Sequence, residues 1–330
     1  MTRQFKIVML WSLIILGAVA CSKDSTELSA EIEAIEARGG NNNGNNGPNN
    51  QNDRPSRNND NNRNDVVSSL SNEITKEWMD LFLEIDRYAY GMRPNSTARS
   101  LAYISLGAYE TAIPGMADYE SSQRFLSRLE IDDLRDPNDV DFEVALNTSY
   151  SKLFQHFVIN LPANESQKIL ALEETNANDF SQTLSSEVME NSVAWGTLVA
   201  EAIIEYALTD TEAEAQIHDP QPTSYVPPTG EGYWTFSAEP ERALFPYWSE
   251  VRTFVIDPER TRSIEPIAYS ENPNSEYYQQ MQEVYDANNE AKTSNEEALW
   301  IAEFWSDDVE GLMFSPPTRQ YSISNQLLES

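Results

Sequence analysis

From residue 66 onward, apolar side chains recur at intervals of three and four residues, which is the period of an amphipathic helix. The period-two alternation that is typical of strands is scarce. We therefore predict an all-α fold, a helical bundle, for residues 66–330. The apolar positions of the first three helices are Ile74, Trp78, Leu81, Phe82 and Ile85, then Leu101, Ile104, Ala108 and Ala112, then Phe142, Ala145, Leu146, Leu153 and Phe157.

Glycine and proline indicate where these helices begin and end. The first helix should end near Gly91, and Asn95 or Ser96 should cap the second, which ends at Pro114-Gly115. An acidic loop, residues 131–141, precedes the third helix. Further helices are predicted at 164–184, 185–208, 274–289 and 294–307, and residues 321–330 resemble the beginning of another.

Residues 220–273 interrupt the helical pattern with nine prolines. A segment of this length without helix or strand is unusual inside a compact domain, and its many aromatic residues are not typical of a solvated linker. We predict that it is extended and packs across the helices.

The first 20 residues have the organisation of an export signal. Arg3 and Lys6 precede an apolar run at 7–16, which is too short to span a bilayer as a helix. Ala18 and Ala20 suit signal cleavage before Cys21, and the same bond is the one cut in lipoprotein processing. Residues 1–20 are therefore predicted to be a lipoprotein signal peptide, and Cys21 to carry a lipid anchor. The alternative is a chance cysteine after an ordinary signal peptide.

The composition of residues 21–65 predicts a flexible tether. Thirteen of the 25 residues from 41 to 65 are asparagine, and none is apolar, so nothing offsets the entropy lost on ordering them. With the anchor, this organisation predicts export and attachment to a membrane of the cell envelope.

Charge and composition exclude several classes of function. With 54 acidic and 22 basic residues, the net charge of −32 repels phosphate backbones, so we expect no nucleic-acid partner. Cys21 is the sole cysteine, which excludes an internal disulfide and a cysteine zinc cluster. Only two histidines, His156 and His218, are present.

None of the polar motifs gives a strong site by itself. We interpret His156, on an apolar helix, as structural, and His218, before Asp219-Pro220, as capping or ending a helix. The cluster Asp136-x-Asn138-Asp139-x-Asp141 lacks the glycine and distal glutamate of a calcium loop and is interpreted as a solvated acidic loop. Trp195 and Trp305 are interpreted as core residues. We therefore predict no catalytic, cofactor-binding or metal-binding residues.

Several short segments, in order over about 75–320, resemble vanadium-dependent haloperoxidases, which share a fold with the type-2 phosphatidic acid phosphatase superfamily. The first resemble the opening helices of that family, and the later ones its middle helix, its proline-rich crossing segment and the stretch before its catalytic bundle. They are Glu84-Ile85-Asp86-Arg87-Tyr88, Arg93-Pro94, residues 98–102, Ala108-Tyr109-Glu110, Val193-Ala194-Trp195-Gly196, Gly232-Tyr233-Trp234, residues 244–248 and 251–254, residues 302–307 and Pro316-Pro317.

The resemblance implies vanadate as cofactor and halide oxidation by peroxide, or phosphoester hydrolysis at the equivalent site. The family's oxyanion ligands lie in three motifs: a lysine with six residues between it and an Arg-Pro, a Ser-Gly-His, and an arginine with five residues between it and a histidine. Here Gly47 and Asp86 stand in place of the lysine, Tyr150 and Glu212 in place of the arginine, and no Ser-Gly-His occurs. We therefore expect an incomplete N-terminal half that does not bind vanadate and is inactive alone.

Two other interpretations stay open. One is a non-enzymatic surface lipoprotein that binds glycans or a partner through aromatic platforms. The other is a scaffold that completes another subunit's site. Expected partners are the membrane, through the lipid anchor, and either a second copy of the chain or the missing C-terminal half.

Overall fold

The computed structural model describes residues 72–92, 94–116, 118–134, 136–236, 242–257, 260, 263–306 and 315–328. Within them lie nine α-helices and no strand, which confirms the predicted all-α fold. The predicted signal peptide, tether and Cys21 lie outside the described residues. The helices are α1 (Glu73–Ile85), α2 (Pro94–Ala112), α3 (Phe142–Phe157), α4 (Ala163–Ser181), α5 (Ser186–Leu208), α6 (Thr211–His218), α7 (Glu276–Thr293), α8 (Glu296–Trp305) and α9 (Pro316–Leu328).

Proline explains two boundaries that the sequence analysis placed wrongly. Helix α2 already begins at Pro94, so Asn95 and Ser96 lie in its first turn and do not cap it. Helix α9 begins at Pro316, five residues before the predicted start at 321. In both cases the proline occupies the first helical position, where its missing N–H group costs no hydrogen bond.

Helix α3 is the centre of the bundle. Twelve of its 16 residues are buried, and it contacts α1, α2, α4 and α5, most extensively α5. The indole of Trp78 packs edge-on against Phe154 and donates a hydrogen bond to Asn147 Oδ1 at 3.0 Å. The resulting core joins the apolar faces predicted for the first three helices and that of α5.

Two glycines allow helices to approach α3 closely. At Gly196 of α5, an added Cβ would lie 2.2 Å from the carbonyl oxygen of Ala145. At Gly107 of α2, it would lie 2.3 Å from a methyl group of Leu153. The first conflict involves helix backbone, which cannot move as a side chain can, so the α3–α5 contact requires glycine at 196.

Helix α9 returns to the beginning of the domain and packs on α1 and α2. The ring of Tyr321 lies edge-on against Phe82, with 5.6 Å between ring centroids. The hydroxyl of Thr318 donates to buried Asp86 at 2.7 Å, and Asn325 donates to Asp80. The bundle is therefore closed by residues more than 230 positions apart in sequence.

The proline-rich segment lies against the bundle only in places. Phe245 is buried and Phe254 packs against the core, whereas the side chains of Val226 and Ile264 are 83% and 92% exposed. The prediction of a segment packed across the helices therefore holds around these two phenylalanines but not along the whole described segment.

Helices α7 and α8 expose most of their apolar side chains. They contact each other, and neither contains a buried residue among those described. Trp305 is 53% exposed, so its interpretation as a core residue was wrong, whereas Trp195 is buried as predicted. The exposed aromatic and aliphatic residues of α7, α8 and α9, here called the C-terminal apolar surface, are Met281, Val284, Tyr285, Trp300, Ile301, Phe304, Trp305, Ile323 and Leu327.

A search of the described helices finds none whose length and apolar character would let it cross a bilayer.

Candidate functional site

Both histidines of the chain meet at one carboxylate. His156 Nε2 lies 2.7 Å from Glu214 Oε1, and His218 Nε2 lies 3.1 Å from the same oxygen. The two imidazole rings are nearly perpendicular, with 5.9 Å between their centroids. One ligand atom from each of the three residues falls within 4.8 Å of the other two. We call these three residues the His–Glu–His cluster.

Solvent exposure increases across the cluster from Glu214 to His218. The side chain of Glu214 is 11% exposed, that of His156 is 23% exposed and that of His218 is 47% exposed. Burial raises the pKa of Glu214, but the hydrogen bonds and charges of His156 and then His218 outweigh it, so the pKa lies below its ordinary value. The carboxylate is therefore held in its anionic form, and solvent reaches the cluster beside His218.

Helix geometry brings the three residues together. Glu214 and His218 are four residues apart on α6 and so share one face of that helix. His156 lies in the last turn of α3, where its ring packs edge-on against Phe157 at 4.6 Å between centroids. Because α3 is fixed in the core, the position of α6 decides whether the cluster forms.

The position of α6 depends on a buried ion pair. Arg99 of α2 contacts Asp210 Oδ2 at 2.5 Å and donates to the carbonyl oxygen of Arg252 at 2.7 Å, while the backbone N–H of Arg252 donates to Asp210 at 3.1 Å. The guanidinium of Arg99 also lies 4.2 Å from the centroid of Phe254. Asp210 directly precedes α6, so these contacts join α2, α6 and the proline-rich segment. Above Arg99 lies an open groove of about 1150 Å³ between α2 and residues 248–256.

The sequence analysis anticipated part of this arrangement. His218 is the last residue of α6, which confirms that it ends a helix. Helix α6 itself was not predicted, and neither was its Glu214. The spacing Glu214-x-x-x-His218 was a visible signal, but His156 lies 58 residues from Glu214, and no local pattern connects them.

The acidic loop has a structural role for two of its carboxylates. Asp136 Oδ1 accepts from the backbone N–H of Asn138 and so caps a 3-10 turn. Asp141 Oδ1 accepts from the backbone N–H groups of Glu143 and Val144 and caps α3. Each carboxylate thus stabilises the beginning of a helix.

Comparison with known proteins identifies the fold. No protein-family model matches the chain, and no curated protein matches its sequence. Among solved structures, one described as the first bacterial vanadium-dependent iodoperoxidase matches with a TM-score of 0.58 and 23% sequence identity. The match covers 72% of this chain and 56% of that chain, so the protein spans little more than half the length of the structure that it resembles. The match confirms the predicted haloperoxidase-like fold.

The His–Glu–His cluster and Arg99 do not fit vanadate. An oxyanion needs uncompensated cations and an imidazole free to approach it. The two imidazoles share the anionic carboxylate of Glu214, which would repel vanadate, and Asp210 neutralises Arg99. The three oxyanion motifs are also missing from the sequence. No step of vanadate chemistry can therefore be assigned to these residues.

Proposed function

We propose that this chain is the helical first half of a vanadium-haloperoxidase-type protein, anchored to a membrane after export. In this proposal, the oxyanion-binding residues belong to polypeptide beyond the 330 residues, and the chain alone oxidises no halide and hydrolyses no phosphoester.

The observation that carries the proposal is the fold match, which extends over most of this chain but only 56% of the iodoperoxidase structure. The C-terminal apolar surface gives independent support. Trp300 is 63% exposed and Tyr285 is 62% exposed on helices that contain no buried residue among those described. Large apolar side chains exposed together on neighbouring helices are characteristic of an interface, and a second helical half would cover them.

An activity assay tests the proposal. The 330-residue chain, incubated with orthovanadate, hydrogen peroxide and iodide or bromide, should form oxidised halide only at the rate measured without protein. Hydrolysis of p-nitrophenyl phosphate in the absence of vanadate should likewise stay at background. The reason is that a five-coordinate oxyanion lacks its cationic and histidine ligands.

A longer polypeptide is the matched control, if the reading frame continues in phase beyond Ser330. It should carry the lysine and Arg-Pro, Ser-Gly-His, and arginine and histidine motifs, and it should gain vanadate-dependent turnover. Vanadate-dependent turnover by the 330-residue chain itself would show that the proposal is wrong.

The lipid anchor is a separate part of the proposal. Cys21 directly follows an apolar run and the small residues Ala18 and Ala20, and no other cysteine competes for the role. When the chain is expressed with its signal, Cys21→Ser should move it from the membrane fraction to the soluble fraction, because the acyl chains hold it there. Ser22→Ala is the control and should stay with the membrane. Retention of Cys21→Ser in the membrane fraction would exclude the anchor.

Exposed tryptophans favour one other function, a surface lipoprotein that binds glycans. The side chains of Trp234, Trp300 and Trp305 are all more than half exposed, and Trp300 stacks on Phe304 with 5.6 Å between centroids. A glycan array probed with the 330-residue chain separates the two proposals. Binding that is lost in Trp300→Ala would favour glycan capture, and the absence of any binding would favour the enzyme half.

A further inference from the structure

We propose that His156, Glu214 and His218 bind a divalent transition-metal ion, with Zn²⁺ as the best chemical match. This inference is independent of the haloperoxidase-type function, because it concerns α3 and α6 and uses none of the oxyanion motifs.

The ligand set is that of a three-residue zinc site. Two imidazole nitrogens and one carboxylate oxygen, with a water molecule in the fourth position, is a common donor set for tetrahedral Zn²⁺. Imidazoles favour zinc, copper, nickel or iron over calcium and magnesium, which prefer oxygen ligands. The half-exposed ring of His218 leaves the fourth position open to solvent.

The distances fit a metal site after an adjustment of the exposed His218 ring. Metal bonds of about 2.0–2.1 Å in tetrahedral geometry separate neighbouring ligand atoms by roughly 3.4 Å. Glu214 Oε1 now lies 2.7 Å from one imidazole nitrogen and 3.1 Å from the other, so these contacts need to open by roughly half an ångström. The two imidazole nitrogens lie within 4.8 Å of each other, so they need to approach by up to roughly 1.4 Å. His218 is at the end of α6 and exposed, so its ring can make this adjustment without moving the core.

A purely structural hydrogen-bond cluster leaves one feature unexplained. Glu214 Oε2 is buried and has no hydrogen-bond partner among the described residues. A buried carboxylate oxygen without a partner is costly, since it loses its contact with water and gains nothing in return. A metal ion bound at Glu214 would compensate the charge of both oxygens. It would also join the end of α3 to α6, because Glu214 and His218 of α6 follow His156 of α3 by 58 and 62 residues.

The two histidines make the test direct, because the imidazole NMR spectrum of the chain contains signals from only two residues. The 330-residue chain, labelled with ¹⁵N and freed of metal with a chelator, is titrated with Zn²⁺. We expect the Nε2 signals of both histidines to change together and to reach their end point at one metal ion per chain. Co²⁺ in place of Zn²⁺ should give the visible absorption of a tetrahedral complex.

Variants separate the site from general binding to acidic surface. Glu214→Gln, which keeps the shape of the side chain, and exposed His218→Ala should each weaken Zn²⁺ binding at least about 100-fold, because even the loss of an outer-sphere partner costs 10–100-fold. Asp219→Asn, an exposed carboxylate beside His218, is the matched control and should bind as the unsubstituted chain does. Ca²⁺ should leave both imidazoles unchanged.

Three outcomes would overturn the proposal. These are imidazole signals that do not respond to Zn²⁺, the two histidines responding at different metal ratios, or Asp219→Asn losing as much affinity as Glu214→Gln. Circular dichroism of each variant establishes that it is folded. Because His218 is exposed at the helix end, His218→Ala keeps the test valid if Glu214→Gln does not fold.

Discussion

Replacement of Arg99 by methionine is expected to destabilise the bundle by about 3–5 kcal/mol, the cost of removing one member of a buried ion pair. The side chains of Arg99 and Asp210 are 7% and 4% exposed. Methionine fills most of the space of the arginine but leaves the carboxylate of Asp210 buried without its cation. It also removes the hydrogen bond to the carbonyl of Arg252 and the contact with Phe254, so the proline-rich segment should loosen as well.

Urea denaturation of the 330-residue chain measures this effect, and two further variants make the comparison sharp. Arg124→Met removes an exposed ion pair with Glu120 and should cost less than about 1 kcal/mol. The double variant Arg99→Met, Asp210→Leu should recover much of the loss, because no buried charge then stays unpaired. If Arg99→Met costs no more than Arg124→Met, the buried pair does not hold the helices together.

Asp86 should make the stability of the domain depend on pH between about 4 and 6. Burial raises the pKa of this carboxyl to about 6, against the opposing effects of the Thr318 hydroxyl, the Ser315 backbone amide and the charge of Arg87. In this interval the native state binds more protons at Asp86 than the unfolded state does. The contribution of Asp86 to stability therefore falls as the pH rises through 6 and stays low above it.

The variant Asp86→Asn isolates this contribution from those of the other carboxylates. The free energy of unfolding of Asp86→Asn minus that of the unsubstituted chain should increase by on the order of 2–3 kcal/mol as the pH rises from about 4 to about 7.5. One pKa unit corresponds to about 1.4 kcal/mol. Thr318→Val should shift the transition to higher pH, because it removes a hydrogen bond that lowers the pKa of Asp86. Urea unfolding at several pH values checks both. A stability difference between Asp86→Asn and the unsubstituted chain that is constant with pH would contradict the raised pKa.

Helical periodicity predicted the interior of the bundle well and its outer part poorly. The spacing of Ile74, Trp78, Phe82 and Ile85 marks the buried face of α1 correctly, because neighbouring helices, α3 and α9 among them, cover that face. Trp305 belongs to an equally apolar pattern but is exposed. Periodicity shows which face of a helix is apolar, and it carries no information on whether that face has a partner.

The His–Glu–His cluster was missed for a different reason. Each histidine has an ordinary local role, one near the end of α3 and the other ending α6, and these roles were readable from the sequence. The two histidines come together only because α6 packs close to the end of α3. The ion pair of Arg99 and Asp210 fixes this position of α6. Arg99 and Asp210 are 111 residues apart in sequence, so only the three-dimensional structure shows that they pair.

The docking of α9 on α1 has a consequence for biosynthesis. Tyr321 and Thr318 complete the environment of Phe82 and Asp86, so α1 gains these neighbours only after more than 230 further residues have been translated. Contacts between residues more than 230 positions apart form slowly, because the entropic cost of closing the loop comes before the contacts are gained. The nascent chain should therefore expose the part of α1 that α9 covers until α9 has left the ribosome, and molecular chaperones that shield apolar surfaces should bind it during that interval.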